Sequence, residues 1–306
     1  MDVWIDTDPS IGVPLHEADD GFALIQAFHS PELHIRGIST TYGNAGLATT
    51  TRIAKEMTAR FGEGAGVTEE QVYAGAASAG DLGKPTDATE SLRAALDERP
   101  LTYLAIAPLT NLATLLTLHP QIAQRIERVI FVGGRTPGVR FRAGRWNPYE
   151  FTDGNFHKDH AAAAVLLAAS RLPLTFVSVE LALQMLLTPQ ELTRIGREGG
   201  AAGRYLAAKA GLWMRLWRLC FAIGGGVIFD CFAILAATHP HLLAREERHA
   251  EIYPAPGNPV ATKLRQIHLL AHREPRPTAT RTVTFCSAPL PEARAVIVQR
   301  LLGATD

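Results

Sequence analysis

The sequence predicts an α/β fold: a mostly parallel central sheet with helices on both faces. Short apolar, β-branched runs at residues 3–5, 35–41, 101–107, 129–132 and 174–179 read as strands. Longer segments of helical period separate them, and strand–helix alternation of this kind builds parallel sheets by crossover. No internal repeat or Gly/Ser linker interrupts the 306 residues, so residues 1–306 are expected to form a single domain with a sizeable core.

The elements follow in order. The first strand leads through an acidic turn into a helix over 21–28, and later strand–helix units repeat the plan. The most apolar helical stretch, 161–169, is far short of the roughly 20 residues a membrane crossing needs, and reads as a buried helix. Residues 273–277 are loop-like and precede a last strand at 281–286 and a helix at 291–302. In such a sheet ligands bind beyond the carboxyl ends of the strands, so the loops following strands are the places to look for chemistry.

Thirty basic and thirty acidic residues cancel, which argues against nucleic-acid or acidic-membrane partners and for a small ligand. The three cysteines, Cys220, Cys231 and Cys286, are odd in number and form no CxxC pair, as expected in a reducing compartment. The first residues lack a basic segment followed by an apolar one, so no secretory signal is read and the cytoplasm is the expected location.

Strand one ends in Asp6-Thr7-Asp8-Pro9, and Asp19-Asp20 opens the next helix. Four carboxylates on one loop repel and take up protons unless a cation or helix-terminal N–H groups compensate them. Hard oxygen donors suit magnesium or calcium, and calcium more if the protein makes most of the cage. Any one of these residues alone would more simply be a cap or a loop carboxylate. Asp-x-Asp after a first strand also opens the haloacid-dehalogenase-like phosphatases, but those carry Thr or Val where this chain has Ser10, and a late acidic pair that is not evident here.

Further along stand Thr41-Tyr42-Gly43-Asn44, Ala107-Pro108-Leu109-Thr110-Asn111-Leu112, Phe131-Val132-Gly133-Gly134, Asn147, Asp153-Gly154-Asn155, Asp159 and Phe229-Asp230. As an ordered set with the acidic turn, these resemble the inosine-uridine-preferring nucleoside hydrolases through about residue 240. The resemblance implies a nucleoside-hydrolase-like fold, cleavage of a ribonucleoside to base and ribose, a bound Ca2+ ion, a role in nucleoside salvage and a homodimer or homotetramer. It implies Asp8 as metal-bound general base and Asp20, Asp230 and the backbone carbonyl of Phe131 as further metal ligands. Asp6 would be a supporting acid, and Asp19, Asn44, Asn147, Asp153 and Asn155 would grip ribose hydroxyls. An oxocarbenium-like transition state fits carboxylates near the anomeric carbon and an activated water.

Three departures stand out. Residues 9–18 insert between Asp8 and the acidic pair, where the family runs almost directly from one to the other, and could displace Asp19 and Asp20. Phe229 replaces the histidine expected before the last metal-binding Asp, removing the familiar leaving-group acid. Glu180-Leu181-Ala182 stands for Asp-Val-Thr, and no HGxDG segment is evident near residues 86–89. Sugar binding is therefore expected to persist while base recognition changes, and a nucleoside-binding pseudoenzyme is the competing reading.

Trp213 and Trp217, four residues apart on a helix, share a face and are candidates for stacking on a base, although aromatic stripes more often pack. His16, His157, His160 and Tyr149 are conceivable acids, His157 and His160 being placed at a helix start where a surface role is more common. Gly224-Gly225-Gly226 lacks the Lys-Ser/Thr of a phosphate loop and reads as a flexible joint or a close approach.

Overall fold

The computed structural model describes residues 1–139, 142, 152–255, 266–279 and 281–303. The chain runs β1 (Asp2–Thr7), α1 (Asp19–Phe28), β2 (His34–Thr40), α2 (Leu47–Phe61), β3 (Val72–Ala74), α3 (Asp87–Glu98), β4 (Leu101–Ala105), α4 (Thr110–Leu118) and β5 (Ile126–Val132). It continues through α5 (Gly154–Lys158), α6 (His160–Ala168), β6 (Leu174–Val177), α7 (Val179–Ala182), β7 (Leu186–Leu187), α8 (Pro189–Glu198), α9 (Gly200–Phe221) and β8 (Gly226–Val227). The last elements are α10 (Cys231–Thr238), β9 (Leu243–Ala255), β10 (Gln266–His272), β11 (Arg281–Pro289) and α11 (Ala293–Leu301).

Strands order as β10-β9-β11-β6-β5-β4-β1-β2-β3, with every neighbour parallel except β9, which is antiparallel to both β10 and β11. The chain lays β2 and β3 on one side of β1 and then returns to place β4 on the other, so the loops after β1 and β4 diverge and open a crevice. Central strands are buried on both faces because successive side chains alternate: Val3 and Ile5 point into the core beneath α1, α9, α10 and α11, while Trp4 joins the core beneath α3, α4 and α6. Helix α1 is buried along its whole length, and α10, Cys-Phe-Ala-Ile-Leu-Ala-Ala-Thr, is apolar all round because it lies inside the layer. No helix among the described residues is long and apolar enough to cross a membrane.

The five expected strands are present, with ends shifted by local chemistry. The run at 174–179 stops at Val177 because the Ser178 hydroxyl accepts from Leu181 N and caps α7. Strands β9 and β10 carry no simple apolar alternation. Some of their charged groups are paired and buried: Arg248 donates to Glu246 (Nε to Oε1, 2.8 Å), and His272 Nε2 lies 2.6 Å from Glu251 Oε1. The glycines at 224–226 permit a close approach, since a Cβ on Gly226 would lie 2.2 Å from the Trp213 ring.

Candidate active site

Asp8 leaves β1 and Asp20 begins α1, and the two are joined at once: Asp8 N donates to Asp20 Oδ1 (3.0 Å), as does the Thr7 hydroxyl (2.6 Å). Asn44, in the loop after β2, bridges them from the other side. Its backbone N–H donates to Asp8 Oδ2 (2.6 Å) and its Nδ2 to Asp20 Oδ2 (2.9 Å). The chain can pass this close only because residue 43 is glycine, where a Cβ would lie 1.7 Å from Asp8 Oδ2.

Oxygen atoms of Asp19, Asp20 and Asp230 lie within 4.8 Å of one another, all buried. Asp230 comes from the turn before α10, which packs against α1. Burial, reinforced by Asp20, pushes the carboxyls of Asp8 and Asp19 well above their ordinary range, and burial with Asp19 does the same to Asp230. Asp20 is raised by burial too, with Thr7, Asp8 N and Asn44 opposing. Among the described residues, Asp19 Oδ1 is buried without a hydrogen bond. Oxygen-only donors, mutual repulsion and an orphaned carboxylate oxygen fit a hard divalent cation.

The residues implied by the motifs fall into groups. Asp19, Asn44, Asp153, Asn155 and Asp230 line one cavity. Asp153 is fixed by accepting from Gly134 N (2.6 Å) and Phe156 N (3.3 Å), capping α5, and Asn155 Nδ2 donates to Val132 O (3.2 Å). Asp8 and Asp20 lie directly behind that surface, both fully buried. Asp6 is one layer deeper, accepting from Ser39 Oγ (2.5 Å) and Asn111 Nδ2 (2.8 Å). Asn147 and Tyr149 lie outside the described residues.

Phe131 is not among the residues that line the cavity. Its neighbours Val129 and Gly133 donate their N–H groups to Pro173 O and Val177 O, so Phe131 sits within the β5–β6 ladder, and its ring packs on Phe176 in the opposite core. Ile106, just past β4, lines the cavity, as does Val132 at the end of β5, and the Ile106 N–H donates to Asp6 O (2.9 Å).

The insertion leaves the acidic pair in place. Ser10 Oγ donates to Glu17 O (2.7 Å), Ile11 packs against Gly21, and the loop closes on itself before Asp19. The tryptophans divide: Trp217 lines the cavity, whereas Trp213 packs under Gly226 and against Phe22 and is not among the cavity residues. Both indoles donate to Glu17 Oε2, at 2.7 Å from Trp213 and 3.1 Å from Trp217. His157 is exposed and His160 half-buried, and neither lines the cavity; exposed His16 meets the Asn44 carbonyl through Nδ1. Phe229 occupies the cavity wall.

The motifs give no role to Lys158, Thr110 or Asn111, and the structure does. Lys158, on α5, also lines the cavity, with its Nζ 3.9 Å from Asp8 Oδ2 and 3.4 Å from Asn44 Oδ1. Thr110 and Asn111 explain their motif: Thr110 Oγ1 donates to Asp159 Oδ2 (2.5 Å) and so holds the start of α6, while Asn111 holds Asp6. A lysine one residue before a helix-capping Asp carries no signal of its own in sequence.

A sheet whose switch point opens on a buried acidic cluster and a polar, sugar-sized set of donors and acceptors defines a hydrolase of the metal-assisted, carboxylate-rich kind. Residues 3–284 match the inosine-uridine preferring nucleoside hydrolases, and the chain belongs to that family of N-ribosyl hydrolases. It is 27% identical over 267 residues to uridine nucleosidase 1 of Arabidopsis thaliana, covering 78% of this chain and 74% of that one. It is 30% identical over 225 residues to the non-specific ribonucleoside hydrolase RihC of Escherichia coli, covering 64% and 69%. The fold is similar to that of a purine-preferring ribonucleoside hydrolase from Gardnerella vaginalis, with a TM-score of 0.77 at 21% identity over 99% of this chain and 98% of that one. These findings set the phosphatase reading aside.

Proposed function

We propose that this protein hydrolyses the N-glycosidic bond of a ribonucleoside, releasing base and ribose, at a calcium-dependent centre. The observation that carries the reading is Asp19: it lines a cavity together with Asn44, Asp153, Asn155 and Asp230, and among the described residues its buried Oδ1 accepts no hydrogen bond. Asp19, Asp20, Asp230 and the adjoining Asp8 would hold the cation. When bound, calcium supplies Lewis-acid activation of water and positive charge among the carboxylates.

Asp8 is the general base of this reading. Burial and Asp20 raise its carboxyl, which favours taking up a proton, and Asn44 N–H and Lys158 hold its Oδ2. Asp19, Asn44, Asp153, Asn155 and, outside the described residues, Asn147 orient the ribose, and the carboxylates stabilise positive charge developing on the sugar ring. Phe229 donates no proton, so a leaving group that needs little protonation should depart most readily. We further take the enzyme to be a cytoplasmic homodimer or homotetramer.

The test is turnover of p-nitrophenyl riboside, inosine and uridine with product analysis, with and without a chelator. Faster release of p-nitrophenol than of either base, abolished by chelation and restored by calcium, is expected. A thermal shift with nucleosides but no free base from any riboside would favour the binding-protein reading motivated by Phe229.

A further inference from the structure

The insertion after Asp8 carries a carboxylate into the cavity. Glu17 lines it beside Trp217 and Phe229, and two indole N–H groups from α9, some 200 positions away in sequence, converge on one oxygen, Oε2. Indole nitrogen is a donor only, so this pairing fixes which oxygen faces the helix. Among the described residues Glu17 Oε1 receives no hydrogen bond, and a carboxylate oxygen left in a cavity is an acceptor waiting for a donor. Glu17 shares the cavity both with apolar Trp217, Phe229 and Val179, which offer surface to a base, and with polar Asp19, Asn44, Asp153 and Asn155, which suit a sugar. The tryptophan pair thus acts as the clamp of an acceptor, with Trp213 contributing its N–H rather than a stacking face.

We propose that Glu17 is a specificity-determining residue: its free oxygen accepts a hydrogen bond from an N–H of the departing base, so the enzyme favours ribosides whose base presents a donor there. The inference rests on the ribonucleoside reading above. It also makes a directional claim about one conservative variant. In Glu17→Gln the two indoles still require an acceptor, so the amide oxygen turns to them and the NH2 group faces the cavity. An acceptor becomes a donor without change of size.

The experiment compares kcat/KM for adenosine and inosine, whose bases each present an N–H donor on the outer edge, against 6-methoxypurine riboside, which offers acceptors only. If pyrimidines are the better substrates, uridine is set against its 4-methoxy analogue. The wild-type enzyme should favour the donor-bearing base by about tenfold to a hundredfold, since a site built to accept a hydrogen bond penalises its absence. In Glu17→Gln, with melting temperature checked, the ratio should fall to one or invert. Equal wild-type efficiencies would overturn the inference even if the variant did not fold, and so would a loss in Glu17→Gln uniform across donor and acceptor substrates. Failure to hydrolyse any riboside would instead overturn the underlying reading, and this inference with it.

Discussion

Asp6 offers a test that needs no substrate. Its carboxyl is completely buried, Oδ1 accepting from Ser39 and Asn111, and burial pushes its pKa from 3.8 up to about 6 against the opposing pull of Ser39, Asn111 and Tyr103. An acid raised in the native state holds its proton longer than in the unfolded chain. Its contribution is therefore fully present below pH 3.8 and is lost as pH rises through about 6. One proton corresponds to about 1.4 kcal/mol per pH unit, so the whole span costs about 3 kcal/mol. Asp6→Asn keeps an oxygen for Ser39 and Asn111 and removes the titration. Urea unfolding of both proteins in chelator, from pH 4 to pH 8, measures the difference directly. The variant's stability relative to wild type should climb by about 3 kcal/mol, most of it before pH 6.5. A difference that stays flat across this range would refute the account of Asp6 as a proton-holding acid beneath the site.

Other outcomes follow from the same geometry. Asp20→Asn should weaken calcium binding by more than about a hundredfold in calorimetry, beyond what outer-shell changes usually cost, and should abolish calcium-induced thermal stabilisation; unchanged affinity would remove Asp20 from the ligand set. Lys158→Met takes a cation away from Asp8, 3.9 Å distant, and should tighten calcium binding by about tenfold; weaker binding would show that Lys158 supports the ion instead of competing with it. A 2′-deoxyriboside should have kcat/KM at least about a hundredfold below the matched riboside, because the carboxylate of Asp19 would be left unpaired, and equal values would exclude the proposed ribose clamp.

Much of this protein is written in its local sequence. Apolar runs alternating with helical periods suffice for a parallel sheet, because only crossover helices can join such strands, and the acidic turn announces a charge problem that four neighbouring aspartates cannot solve alone. The charged strands β9 and β10 escaped that reading, since Arg248, Glu251 and His272 look solvent-facing until their partners are known. The site divides in the same way. Asp8, Asp19 and Asp20 lie close in sequence, but Asp230 joins them only because α10 packs on α1. Trp213 and Trp217 resemble a packing stripe or a stacking pair until Glu17, some 200 residues earlier, meets both indole nitrogens. Periodicity and spacing act over a few residues, so local pattern determined the elements and the acidic turn. Which distant groups share one buried volume was decided by sheet order and helix packing.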